Sequence, residues 1–255
     1  MSLKVVRTSL VALSVLVLGG TAVNAAVVMI DQKTAQSGKV TPGDAAGFPV
    51  TISEPGSYRL NSNLIVTEPS VTVIEITAND VTLDLAGFSI IGPNTCSGTP
   101  LTCTMSGASG IGIKAVADGV PSPANVRVMN GTVRGMGSHG IRMIGVGTIV
   151  ERVQAISNGG PGIVVGAGSV IDCVAMQNGM ATAVVGLIVR GTLAMNNVFG
   201  IFIRPGGVAS GNVATFNALT GMTVQCPAVV VGNTTTNNGT DLVVNGVCAV
   251  ADHAQ

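Results

Sequence analysis

The phrase Arg152-Val-Gln-Ala-Ile-Ser-Asn158 returns as Asp172-Cys-Val-Ala-Met-Gln-Asn178, Gly191-Thr-Leu-Ala-Met-Asn-Asn197, Gly211-Asn-Val-Ala-Thr-Phe-Asn217 and Gly232-Asn-Thr-Thr-Thr-Asn-Asn238. Its closing asparagines lie 20, 19, 20 and 21 residues apart. A short apolar run follows each one: Ile163-Val-Val, Ala183-Val-Val, Ile201-Phe-Ile, Met222-Thr-Val and Leu242-Val-Val. A fixed period of this size describes a solenoid, whose units bury their apolar edges only by stacking on one another.

The contents of the period select the type of solenoid. Three positions before each asparagine stand Ala155, Ala175, Ala194, Ala214 and Thr235. A column held small while its neighbours vary points into a narrow interior. The asparagines Asn158, Asn178, Asn197, Asn217 and Asn238 are expected to stack amide on amide, at turns whose left-handed geometry Asn tolerates. About 20 residues cannot hold two helices and their turns, but they accommodate two or three strands of four to six residues. The spaced leucines of a leucine-rich repeat are absent. What remains is a parallel β-helix.

Upstream, Asn79-Asp-Val-Thr-Leu-Asp-Leu-Ala-Gly-Phe-Ser-Ile-Ile-Gly92 and Asn125-Val-Arg-Val-Met-Asn-Gly-Thr-Val-Arg-Gly-Met-Gly137 lead into these repeats. Together with them, residues 50–248 resemble the right-handed parallel β-helix proteins of the pectate-lyase-like and NosD-like group. The resemblance implies an all-β, right-handed solenoid of about ten coils with about 20 residues each, and a tie to carbohydrate. The group spans lyases, hydrolases, epimerases and binding proteins, so it implies no single activity.

Residues 1–25 combine Lys4 and Arg7, an apolar core from Leu10 to Leu18 and Val23-Asn-Ala25, the pattern of a secretory signal cleaved after Ala25. The chain is therefore expected to be exported, whether secreted, periplasmic or at the cell surface, with no transmembrane segment once the signal is gone. Ten basic against twelve acidic residues then remain, a net charge of −2, which gives no general attraction to nucleic acid. Five cysteines suit an oxidising compartment. Cys96 and Cys103 are expected to pair across an insertion, and Cys226 and Cys248, about one coil apart, to pair between adjacent rungs. Cys173 shares the inward column of Val153 and is expected as a buried free thiol. No CxxC or neighbouring His suggests a metal site.

Residues 26–49 lack periodicity and read as a loose lead-in, residues 93–109 and 118–123 as surface loops, and residues 249–255 as a polar tail. Matching Asn79-Asp-Val to Ala124-Asn-Val sets Asp84, Met129, Glu151, Ile171 and Arg190 in one outward column, with Arg127 beside it. Asp84, Arg127 and Glu151, together with Arg134 and His139, form the candidate carbohydrate-binding or catalytic face. Two carboxylates two coils apart would be ~9–10 Å from each other, too wide for a retaining glycosidase. The chain contains no Asp-Asp pair. Ser138-His139-Gly140-Ile141 resembles the His-Gly phrase of polygalacturonases, but the partner aspartates are missing. Lyases of the group use calcium held by clustered carboxylates, so calcium is expected only if this chain is a lyase; otherwise no cofactor is expected. Arg152, by register over Asp172, is expected to form an ion pair with it. Two readings follow: an exported non-catalytic module that binds polysaccharide or builds surface structure, and, as the alternative, a polysaccharide lyase or glycoside hydrolase.

Overall fold

Short segments with valine or isoleucine at alternate positions can each bury one side only, and parallel stacking completes the burial. The computed structural model describes residues 26–255 apart from 106, 118–120 and 180. The expected export signal at 1–25 and the first part of the 118–123 loop lie outside the described residues. The rest winds as an all-β parallel solenoid of about nine turns, with about 21 residues in each.

Every coil visits three faces, here A, B and C in chain order. The inward column of face A runs Val50, Ile74, Ile113, Ile141, Ile163, Val184, Ile201, Met222 and Leu242. That of face B runs Tyr58, Leu83, Val128, Val150, Val170, Val189, Ala209, Val230 and Val250. That of face C runs Leu64, Ile90, Val133, Ala155, Ala175, Ala194, Ala214 and Thr235. A small column on face C is thus what lets three strands close around a thin core.

Single left-handed residues make the corners. From B to C these are Asn130, Arg152, Asp172, Gly191, Gly211, Gly232 and Asp252; from C to A they are Ser157, Gln177, Asn196, Phe216 and Asn237. The second set corrects an expectation, because the left-handed residue is the one before each ladder asparagine. The asparagine itself turns inward. Asn158 Nδ2 donates to Asn178 Oδ1 at 2.9 Å, and the pattern repeats through Asn197, Asn217 and Asn238 at 3.1, 3.1 and 2.8 Å. Each Nδ2 also donates to a carbonyl of the preceding coil, such as Ala155 O from Asn178 at 2.9 Å. The ladder ends on a carboxylate, with Asn238 Nδ2 donating to Asp241 Oδ1 at 2.8 Å. A second buried ladder stands at the other corner: Thr192 N donates to Asn212 Oδ1 at 3.0 Å and Asn212 Nδ2 to Asn233 Oδ1 at 2.9 Å.

The lead-in is structured, contrary to its lack of periodicity. Strand β1 (Val28–Ile30) pairs with β3 (Gly56–Leu60), and between them in sequence lie helix α1 (Gln32–Ser37) and β2 (Val50–Ile52). Asp31 and Thr34 form a reciprocal capping box on α1. The physical reason is the exposed sheet edge of the first coil, which must be covered. Ala35 of α1 is fully buried over the core. The Gln32 amide pairs with both backbone groups of Ile65, at 2.8 and 3.1 Å. At the other end, Ala249–Ala251 pairs with Val229–Val231 as a further rung, so the expected tail after residue 248 continues the solenoid.

Candidate functional site

The outward column of face B gathers a run of charged side chains. Register places Arg59, Asp84, Met129, Glu151, Ile171 and Arg190 one above another. Glu151, only 9% exposed, holds two guanidiniums on its Oε1: Arg127 Nη1 at 3.2 Å and Arg152 Nη2 at 2.9 Å. Arg152 Nε donates to Asn130 Oδ1 at 2.8 Å, and Asn130 Nδ2 donates to Asp84 Oδ1 at 3.0 Å. Arg59 approaches Asp84 Oδ2 at 3.9 Å. The result is one continuous strip, Arg59–Asp84–Asn130–Arg152–Glu151–Arg127, alternating in charge and joined at its centre by an amide.

Asp84, Arg127 and Glu151 are therefore brought together, while Arg134 and His139 are not. Arg134 lies beyond the Asn130 corner on face C, between Ile91 and Ile156. His139 sits at the C-to-A corner, its Nδ1 hydrogen-bonded to Ser138 Oγ at 2.8 Å. Burial, helped by the Arg142 charge, pushes its pKa down to about 4, so it is neutral at pH 7. The expected Arg152–Asp172 pair does not form. Register stacks their backbones, but Arg152 leaves a left-handed corner and its side chain turns back to Asn130 and Glu151.

The residues that sequence reading missed here are Arg59, Asn130 and Arg152. Asn130 had a readable signal, since it shares the corner column with Arg152. Its role as a bridge depends on side-chain direction, which periodicity does not encode. Elsewhere, Lys114 pairs with Glu75 on face A at 2.8 Å. Disulfides join Cys96 to Cys103 and Cys226 to Cys248. Cys173 is a buried free thiol whose pKa burial raises to about 11, so it is not a nucleophile at neutral pH. Among the described residues no three His, Cys, Asp or Glu side chains group as metal ligands, and no helix is long and apolar enough to cross a membrane.

No family model and no curated protein matches this chain. Among solved structures, the chain is similar to a double mutant of the periplasmic alginate epimerase AlgG, with 13% identity over 80% of this chain and 71% of that chain and a TM-score of 0.42.

Proposed function

We propose that this chain is an exported parallel β-helix that acts without catalysis, as a carbohydrate-binding or surface-structural module. One observation carries the reading. Each carboxylate of the candidate face is already engaged through one oxygen, Glu151 Oε1 by two guanidiniums and Asp84 Oδ1 by Asn130 and the backbone N–H of Ala86 at 2.9 Å. A general acid, base or calcium ligand needs lone pairs and a proton affinity directed at the substrate. Here those groups face one another. His139, the other candidate proton carrier, is set apart on another corner and hydrogen-bonded to its neighbour.

The test is product release from pectin, alginate and glycosaminoglycans, with and without calcium, alongside a binding measurement on the same polymers. The expected result is binding without new reducing ends, unsaturated sugars or epimerised residues. Turnover that disappears in Glu151→Gln or Arg127→Ala would replace this reading with the lyase or hydrolase.

A further inference from the structure

One aromatic side chain is placed where folding gives it no advantage. The C-to-A corner column carries Ser157, Gln177, Asn196, Phe216 and Asn237, all at φ between 54° and 58°. Asparagine suits this left-handed geometry, whereas a bulky aromatic residue there is an outlier. Phe216 is also 57% exposed as a residue, so core burial does not offset the cost of its backbone. A strained residue that contributes nothing to the interior points to a use at the surface.

Its surroundings match such a use. Phe216 lies on the floor of a cleft of about 350 Å³, within the usual size of small-ligand sites, beside Gln177 and Asn196. These corner residues are one rung apart, ~4.8 Å, so ring and amides form a regular row. The exposed Asn196 carboxamide makes no hydrogen bond among the described residues. Among the described residues the Gln177 side chain uses only Oε1, accepting from Ser157 Oγ at 3.4 Å. The facing wall is the loop around Thr99 and Leu101, closed at its base by the Cys96–Cys103 disulfide. That loop is held down from below: Asn94 Nδ2 donates to Ser157 O at 2.8 Å, and Asn94 Oδ1 accepts from Met105 N at 2.7 Å. The Cys103 sulfur lies so close over Gly179 that a Cβ there would come within 2.6 Å of it. The wall is thus fixed before any ligand arrives, which lowers the ordering cost of binding.

Among the described residues no charged side chain lines this cleft. We propose that it is a binding site for an uncharged polysaccharide, with the Phe216 ring under the apolar face of a sugar and the Asn196 and Gln177 amides at its hydroxyls. The proposal rests on the carbohydrate-binding reading above and gives that reading a location distinct from the charged strip of face B.

The experiment titrates the full chain, by calorimetry or ligand-observed NMR, with gluco-, manno- and xylo-oligosaccharides and with acidic oligogalacturonate and oligoalginate. An uncharged oligosaccharide is expected to bind, at least tenfold more weakly to Phe216→Ala and severalfold more weakly to Asn196→Ala. Phe216→Asn is expected to bind no better than Phe216→Ala while unfolding at a higher temperature than the unsubstituted chain, which separates lost binding from lost folding. Glycan binding indifferent to all three substitutions overturns the cleft and leaves the carbohydrate reading standing, as does binding of the acidic oligomers alone. Failure of every oligosaccharide to bind overturns both.

Discussion

The two halves of the solenoid are closed by different means. In the N-terminal coils the interior is filled by large aliphatic side chains, Ile52, Leu60, Leu64, Leu83, Leu85 and Ile90, all fully buried. In the C-terminal coils face A keeps large side chains, Ile163, Val184, Ile201 and Met222, but face C shrinks from Leu64 and Ile90 to Ala155, Ala175, Ala194 and Ala214, and the corners are taken by the buried amides of two asparagine ladders. One half is an ordinary hydrocarbon core capped by a helix; the other is a hydrogen-bonded stack whose interior is partly polar. The difference explains why only the second half shows a repeat in its sequence. Aliphatic residues of several shapes can fill a core, whereas a ladder needs the same amide at the same place in every coil.

The strongest way to break this comparison is in the middle of the ladder. Asn197 Oδ1 accepts from Asn178 N at 2.9 Å and from Asn178 Nδ2 at 3.1 Å, and Asn197 Nδ2 donates to Ala175 O at 2.9 Å. Asn197→Ala strands two buried donors at once and is expected to cost about 3–5 kcal/mol, measured by denaturant unfolding. Its neighbour Asn196 points to solvent, and Asn196→Ala should stay within about 1 kcal/mol, the cost of a left-handed alanine. In the other half, Leu83→Ala should cost about 2–5 kcal/mol through a cavity. If Asn197→Leu, which fills similar space with carbon, folded as stably as the unsubstituted chain, both halves would be held by packing and the contrast would fail.

The same contrast shows what could be read in advance. The five-fold phrase makes the winding, the inward alanines and the asparagine column legible, because each is a residue type repeated at a fixed offset. The outward column from Asp84 to Arg190 repeats no residue type and is legible only through the register that those offsets set. Where the period is absent, reading failed. The α1 lid follows from Asp31 and Thr34, a short local signal inside an aperiodic segment. The rung Ala249–Ala251 offers a single strand former, Val250, between two alanines, too little to mark a strand. The Asn212 and Asn233 ladder is headed by Thr192, too few matching members to stand out. The cleft at Phe216 depends on the path of an insertion, which no offset determines.

A smaller effect tests the corner between the halves. The pKa of His139 is lowered to about 4 in the folded chain, against about 6.5 when unfolded. The unfolded state therefore takes up its proton first as the pH falls. This contribution to stability is complete above pH 6.5, is lost between 6.5 and 4, and changes no further below. Discounted for partial solvation of the ring, it amounts to about 1–2 kcal/mol. Urea midpoints from pH 7.5 to 4 should fall more steeply for the unsubstituted chain than for His139→Gln. Parallel curves would show that the ring is solvated and that this corner is looser than the ladder beside it.

The smallest effect expected concerns the B-to-C corners, where the halves differ again: Asn130 and Arg152 carry bridging side chains, and Gly191, Gly211 and Gly232 carry none. Arg152→Gly removes one guanidinium from Glu151 but puts the residue of the later coils into a left-handed position, so the two consequences oppose each other. Arg127 still holds the carboxylate at 3.2 Å. The substitution should therefore shift stability by no more than about 0.5–1 kcal/mol. Adding Arg127→Ala should cost more in the Arg152→Gly background than alone, because only the pair leaves a largely buried carboxylate without a counter-charge. A strictly additive double-mutant cycle would mean that Glu151 is solvated well enough to need neither arginine. Arg127, Glu151 and Arg152 would then be three independent surface charges and not a connected brace for the early coils.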